Sequence, residues 1–158
     1  MNEKIDDKRQ LLKHFLATLA YRTQKALRDA PESFADFQAG EDVRTPHELL
    51  THMTGCIMWA QTAFIGGKVE LPSLPTMSDE ITRFHKTLES LGGNLSDGTE
   101  PIDTTLERLL QGPLCDAMTH AGQLAMLRRM HGSPVKGENF RTANINADNL
   151  TPNQPEPK

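Results

Sequence analysis

His52, in the segment T-P-H-E-L-L-T-H-M, and the pair Asp116 and His120, in C-D-A-M-T-H-A-G-Q-L-A-M-L-R-R, are the residues of this chain best suited to chemistry. Residues four apart in an α-helix stack on one face, so Asp116 and His120 point the same way. If His52 faces them across a bundle core, two imidazoles and a carboxylate form a 2-His-1-carboxylate set with open coordination positions. Such a set takes a divalent metal. Three protein ligands with room for water and substrate are the arrangement of catalytic rather than structural metal sites. A metal there could lower the pKa of its water to about 7, or bind and deprotonate a thiol. No other general base is evident, so the catalytic group would be that water or thiol.

Each residue also has a plainer reading. Asp116 could be a first-turn acid favoured by the helix dipole, and His120 a buried, hydrogen-bonded histidine. His47 lies five residues before His52 and points about 140° away around the helix; the apolar neighbours Leu49, Met53 and Cys56 select His52 as the inward one. Cys56, one turn after His52, is either a small hydrophobe or an additional soft donor beside the metal. Gln123, three residues after His120, either fixes the imidazole or a bound water, or is a surface glutamine. Gly122 stands in mid-helix at a cost of about 1 kcal/mol relative to alanine, which points to close helix–helix approach. His14, His85 and His131 lack partners at ligand spacing. Cys115 reads as packing, and Trp59, Met53, Met118 and Met126 as core or pocket lining. The sequence contains no Gly-rich phosphate loop and no nucleophile elbow.

The elements that must position these groups read as helices. Leu12, Phe15, Leu16, Leu19, Thr23, Ala26 and Leu27 follow helical spacing, predicting a first helix from Lys4 to Leu27. Thr45, Pro46 and Glu48 form a capping box that opens a second, with Leu49, Met53, Cys56, Ile57, Ala60 and Phe64 on its apolar face and Gly66-Gly67 as terminator. Ile81, Phe84, Leu88 and Leu91 mark a third, from Ser78 to Leu91, stopped by Gly92-Gly93. A short helix, Thr104 to Leu110, is broken by Gly112-Pro113, which reseeds the fourth bundle helix as far as Met130. The Pro-rich connection before the third helix is long enough, at ~3.3 Å per residue, to span a whole helix. That predicts an all-α four-helix bundle of up-down-down-up topology with a long crossover between helices two and three. No strand with a period of two is visible.

The chain, 158 residues long, is the size of one domain. Residues 1–135 read as the bundle and 136–158, rich in Asn and Pro, as an extended tail. Phe140 should dock on the bundle and order the chain to about Ile145, with the final P-N-Q-P-E-P-K mobile; residues Asn144 to Asn149 could form a lid over the site. The net charge of −4, with no concentrated basic surface, argues against nucleic acid. Lys25/Arg28 and Arg128/Arg129 read as cations favoured at helix C-termini. The charged N-terminus has no apolar core of a signal peptide, and no apolar run approaches the ~20 residues that span a bilayer. Cys56 and Cys115 are therefore expected as reduced thiols in a cytoplasmic protein without membrane contact.

The segments P-H-E-L-L-T-H-M and D-A-M-T-H-A-G-Q-L-A-M-L-R-R-M-H-G, followed by K-G-E-N-F, resemble the DinB/YfiT-like superfamily of four-helix-bundle metalloenzymes over about residues 8 to 145. The resemblance implies a divalent metal held by one histidine of the second helix and an H-x-x-x-H pair on the last. His52 and His120 match, but the first position of the pair is Asp116. Zinc or nickel is the metal the resemblance implies, while a carboxylate in place of a third histidine brings manganese or iron closer. The implied activity is metal-dependent hydrolysis, or transfer or isomerisation using a low-molecular-weight thiol such as bacillithiol or mycothiol, on a small-molecule substrate. Relatives often dimerise, so a homodimer is expected. The competing expectation is a non-catalytic, stress-associated binding bundle whose metal site is vestigial.

Overall fold

The computed structural model describes residues 6–158, all-helical where it is regular. The elements are α1 (Asp7–Leu27), α2 (Pro46–Ile65), α3 (Met77–Ser96), a single turn α4 (Leu106–Leu109) and α5 (Cys115–Met130), with 3₁₀ turns at Glu32–Phe34 and Phe140–Thr142. The expected start of the first helix at Lys4 falls outside the described residues. Asp6 is the N-cap there, its side chain accepting from the Lys8 N–H.

Side-chain bonds fix the directions of the four long helices. Thr54 on α2 donates to Glu80 on α3 (2.7 Å), and Gln61 bonds Ser90 further along both, so α2 and α3 run parallel. Lys8 pairs with Glu107 on α4 (2.6 Å), while Arg128 near the end of α5 donates to the Ala26 carbonyl at the end of α1 (2.8 Å). Hence α1 and α5 are parallel. Arg9 at the start of α1 reaches the Thr99 carbonyl, just past α3, so α3 opposes α1. This is the up-down-down-up order, with residues 66–76 as the crossover. Each helix contributes the expected stripe to one core: Leu16, Leu19, Leu50, Met53, Ile57, Phe84, Leu88 and Leu124 are completely enclosed.

Two expected helix breaks do not occur. Helix α3 passes through Gly92-Gly93 to Ser96, carrying the apolar stripe on to the buried Leu95. Gly92 is there for space: a Cβ at that position would come within 2.5 Å of Leu150 Cδ1, which nests on it. Gly112-Pro113 likewise does not break the chain between α4 and α5. Residues Leu110–Leu114 form one π-helical turn, and the Cys115 N–H reaches back to the Leu110 carbonyl. The wider turn absorbs the ring and the missing donor of Pro113, which a regular α-helix would not tolerate. The helical path into α5 therefore begins at Leu106, and Asp116 is not at a free helix N-terminus.

Gly122 also departs from expectation. A Cβ there would meet nothing within 4 Å, so no close helix approach explains it. Cys115 is exposed rather than packed.

The tail is extended but bound throughout. Glu138 accepts from Lys25 (2.7 Å) and from the Tyr21 hydroxyl (2.9 Å), and Phe140 packs edge-on against Tyr21 beneath the Arg22 guanidinium. Beyond the expected limit at Ile145, Asp148 pairs with Lys13, Leu150 is buried, and the buried Gln154 donates to the carbonyls of Asn149 and Thr151. Arg28 holds Glu156. These anchors lie on α1 and α3, so Asn144 to Asn149 are a strap on the far side of the bundle and not a lid over the site.

Candidate metal centre

The capping box at Thr45 and Glu48 sets the start of α2, and seven residues later the helix turns His52 toward α5. Asp116 and His120 project from the first turns of α5 toward it. His52 Nε2 lies 3.3 Å from Asp116 Oδ2, and His120 Nε2 lies 3.3 Å from Asp116 Oδ1. The imidazoles meet edge to face, 4.8 Å between centroids. One donor atom from each of His52, Asp116 and His120 can be chosen so that all three lie within 4.8 Å of one another. Donors about 2.1 Å from a tetrahedral zinc are about 3.4 Å apart; each histidine lies 3.3 Å from one Asp116 oxygen, His52 from Oδ2 and His120 from Oδ1. The donor set fits a divalent ion.

The orientation of His120 is imposed from behind. Gln123 Oε1 lies 2.7 Å from His120 Nδ1. An amide oxygen can only accept, so Nδ1 carries the proton and Nε2 turns a lone pair to the cluster. Cys56 is also at the site: its thiol donates to Asp116 Oδ2 (3.3 Å) and stands 3.7 Å from His52 Nε2. Burial, then the hydrogen bond to Asp116, push the Cys56 thiol up to about 12. Burial acts to raise the Asp116 carboxyl as well, but the Cys56 thiol, His120 and His52 outweigh it and leave the group below the ordinary carboxylate range. It is ionised at neutral pH, as a metal ligand must be.

The cluster is open on two sides. Asp116 keeps 49% of its side-chain surface and His52 36%, while His120 keeps 11%. A cavity of about 500 Å³ opens on His52, Cys56 and Asp116, walled by Trp59, Leu71 and Gly112. Leu71 comes from the crossover and packs down on Gly55, where a Cβ would lie 2.9 Å from Leu71 Cδ2. A second cavity, of about 640 Å³, opens on His120 and Gln123. Trp59 and Met126 are exposed and line cavities, whereas Met53 is core.

Of the residues singled out in the sequence, His52, Asp116, His120, Gln123 and Cys56 come together in this cluster, and His47 does not. His14, His85 and His131 lie outside it as well. His85 is buried on α3, its Nδ1 2.8 Å from the Leu150 carbonyl. His131 packs between Phe34 and Phe37. Sequence reasoning missed Leu71, Gly55 and Arg44 near the site; the only available signal was Arg44 directly preceding the capping box. The exposed Arg44 borders the His120 cavity and its charge acts on the Cys56 thiol, opposing the rise caused by burial.

Protein-family models, curated proteins and solved structures offer no match to this chain. Among the described residues no helix is long and apolar enough to cross a membrane.

Proposed function

We propose that His52, Asp116 and His120 hold one divalent metal, and that the chain is a DinB-like metal-dependent hydrolase or low-molecular-weight-thiol-dependent transferase. One observation carries the metal part of this reading: the Asp116 carboxylate stands 3.3 Å from the Nε2 atom of each histidine, with cavities on both sides. Zinc or nickel is the first choice, and manganese or iron the second. When bound, the ion supplies Lewis acidity that activates a water or a thiol. The residues supply the rest. Gln123 keeps the His120 donor atom aimed, Asp116 adds the negative charge that holds a dication, and Trp59 and Leu71 wall the cavity beside the exposed carboxylate. A small-molecule substrate reaches the centre through either cavity.

A second reading rests on Cys56. With its sulfur 3.3 Å from Asp116 and 3.7 Å from His52, it can complete a four-donor site, and a closed site is structural rather than catalytic. Elemental analysis of the purified protein separates these outcomes from none: about one metal per chain is expected, with a thermal shift on adding Zn, Ni, Mn or Fe salts. Absence of both rejects the centre. A screen for ester and amide hydrolysis and for thiol-adduct formation then distinguishes an enzyme from a structural site.

A further inference from the structure

The His120 cavity has a composition that the metal centre alone does not call for. Val43, Leu49, Met126, Leu127 and Met130 give it apolar walls, and the exposed Arg44 is the one lysine or arginine that lines it. Among the described residues no carboxylate lies within ion-pair distance of Arg44, although Asp42 borders the same cavity. The backbone carrying Arg44 is fixed on both sides. Gln38 Nε2 donates to the carbonyls of Gly40 (2.6 Å) and Val43 (2.8 Å), and Glu48 accepts from the Thr45 N–H (2.8 Å). An unpaired guanidinium on a braced loop, an apolar wall and a metal-ligand histidine in one cavity match how small-molecule pockets are built: mostly apolar surface with a few placed polar groups. Guanidinium is also the side chain best matched in shape to a carboxylate.

We propose that this cavity receives a substrate with an apolar chain and a terminal carboxylate, with Arg44 binding the carboxylate and Leu49, Met126 and Met130 the chain. The inference rests on the metal-centre reading for its chemistry, because the other end of such a molecule lies toward His120. Arg44 acts as a specificity-determining group and takes no part in bond making.

Calorimetric titration with three probes of equal chain length tests this: sodium hexanoate, hexan-1-ol and hexylammonium chloride, on the full chain with and without added zinc. Hexanoate is expected to bind about tenfold more tightly than the alcohol, the usual scale for one charge-assisted contact. Arg44→Met should erase that preference and Arg44→Lys keep part of it, while Arg129→Met, in a different cavity, leaves it unchanged. With the methionine methyls labelled, hexanoate should shift the NMR signals of Met126 and Met130 but not Met118. Equal binding of hexanoate and hexanol, preference for hexylammonium, or a preference that survives Arg44→Met overturns the proposal. If zinc does not bind but the Arg44-dependent preference remains, the metal reading fails and the pocket stands.

Discussion

Gln123 Oε1 lies 2.7 Å from Nδ1 of His120, three residues earlier on the same helix, so one amide decides which imidazole nitrogen faces Asp116. Gln123→Leu removes the acceptor while keeping the bulk. Metal affinity measured by competition with a chelator should fall about 10- to 100-fold, and Gln123→Glu should restore it. His120→Ala should abolish binding, whereas His47→Ala should leave it nearly intact.

Asp116 and Cys56 separate an open centre from a closed one. Asp116→Ala should weaken metal binding, and Asp116→His, which makes a three-histidine set, should raise zinc affinity. Cys56→Ala should leave metal content intact if the centre has three ligands. In the cobalt-loaded protein an intense sulfur-to-metal charge-transfer band that disappears in Cys56→Ala would establish the four-donor site instead.

His85 makes the fold sensitive to acid. Burial lowers its pKa from 6.5 to about 4, against a small opposing effect of the Leu150 carbonyl. The unfolded chain therefore binds a proton in the window from about 6.5 down to 4 that the folded chain refuses. The contribution to stability is complete above that window and is lost as pH falls through it, up to about 3 kcal/mol. Thermal unfolding should show a flat Tm above pH 7 and a decline toward pH 4, with a shallower decline in His85→Gln.

Leu150 closes the strap over Gly92. Leu150→Ala should cost about 2–4 kcal/mol by cavity formation, read as a fall in denaturant midpoint. Truncation after Thr142 removes Leu150, Asp148 and Gln154 together and should destabilise more, with the metal-to-protein ratio of the folded fraction unchanged. Loss of metal in a chain that remains folded would place the tail in the site.

The helix faces, the capping box and the crossover were legible because each follows from local periodicity or from chain length alone. The cluster of His52, Asp116 and His120 was legible once α2 and α5 were adjacent, since the four-residue spacing aims both groups. What sequence could not give depends on distant partners. Gly92-Gly93 reads as a stop until Leu150 is seen resting on it. Gly112-Pro113 reads as a break because nothing local announces a π turn. Beyond Ile145 the tail offered too little apolar surface to be expected to order, yet Asp148 finds the largely enclosed Lys13 on α1, and Leu150 supplies the apolar contact.

Lys13 and a second cation of α1, Lys25, have a bearing on how the chain folds. The ammonium groups of Lys25 and Lys13 are largely enclosed, and their acids, Glu138 and Asp148, follow 113 and 135 positions later. During synthesis α1, α2 and α3 emerge before the two carboxylates that match these charges in the folded chain. Contacts between positions so far apart in sequence are the kind that slow folding. The strap is thus an electrostatic latch, set on α1 from the far end of the described chain.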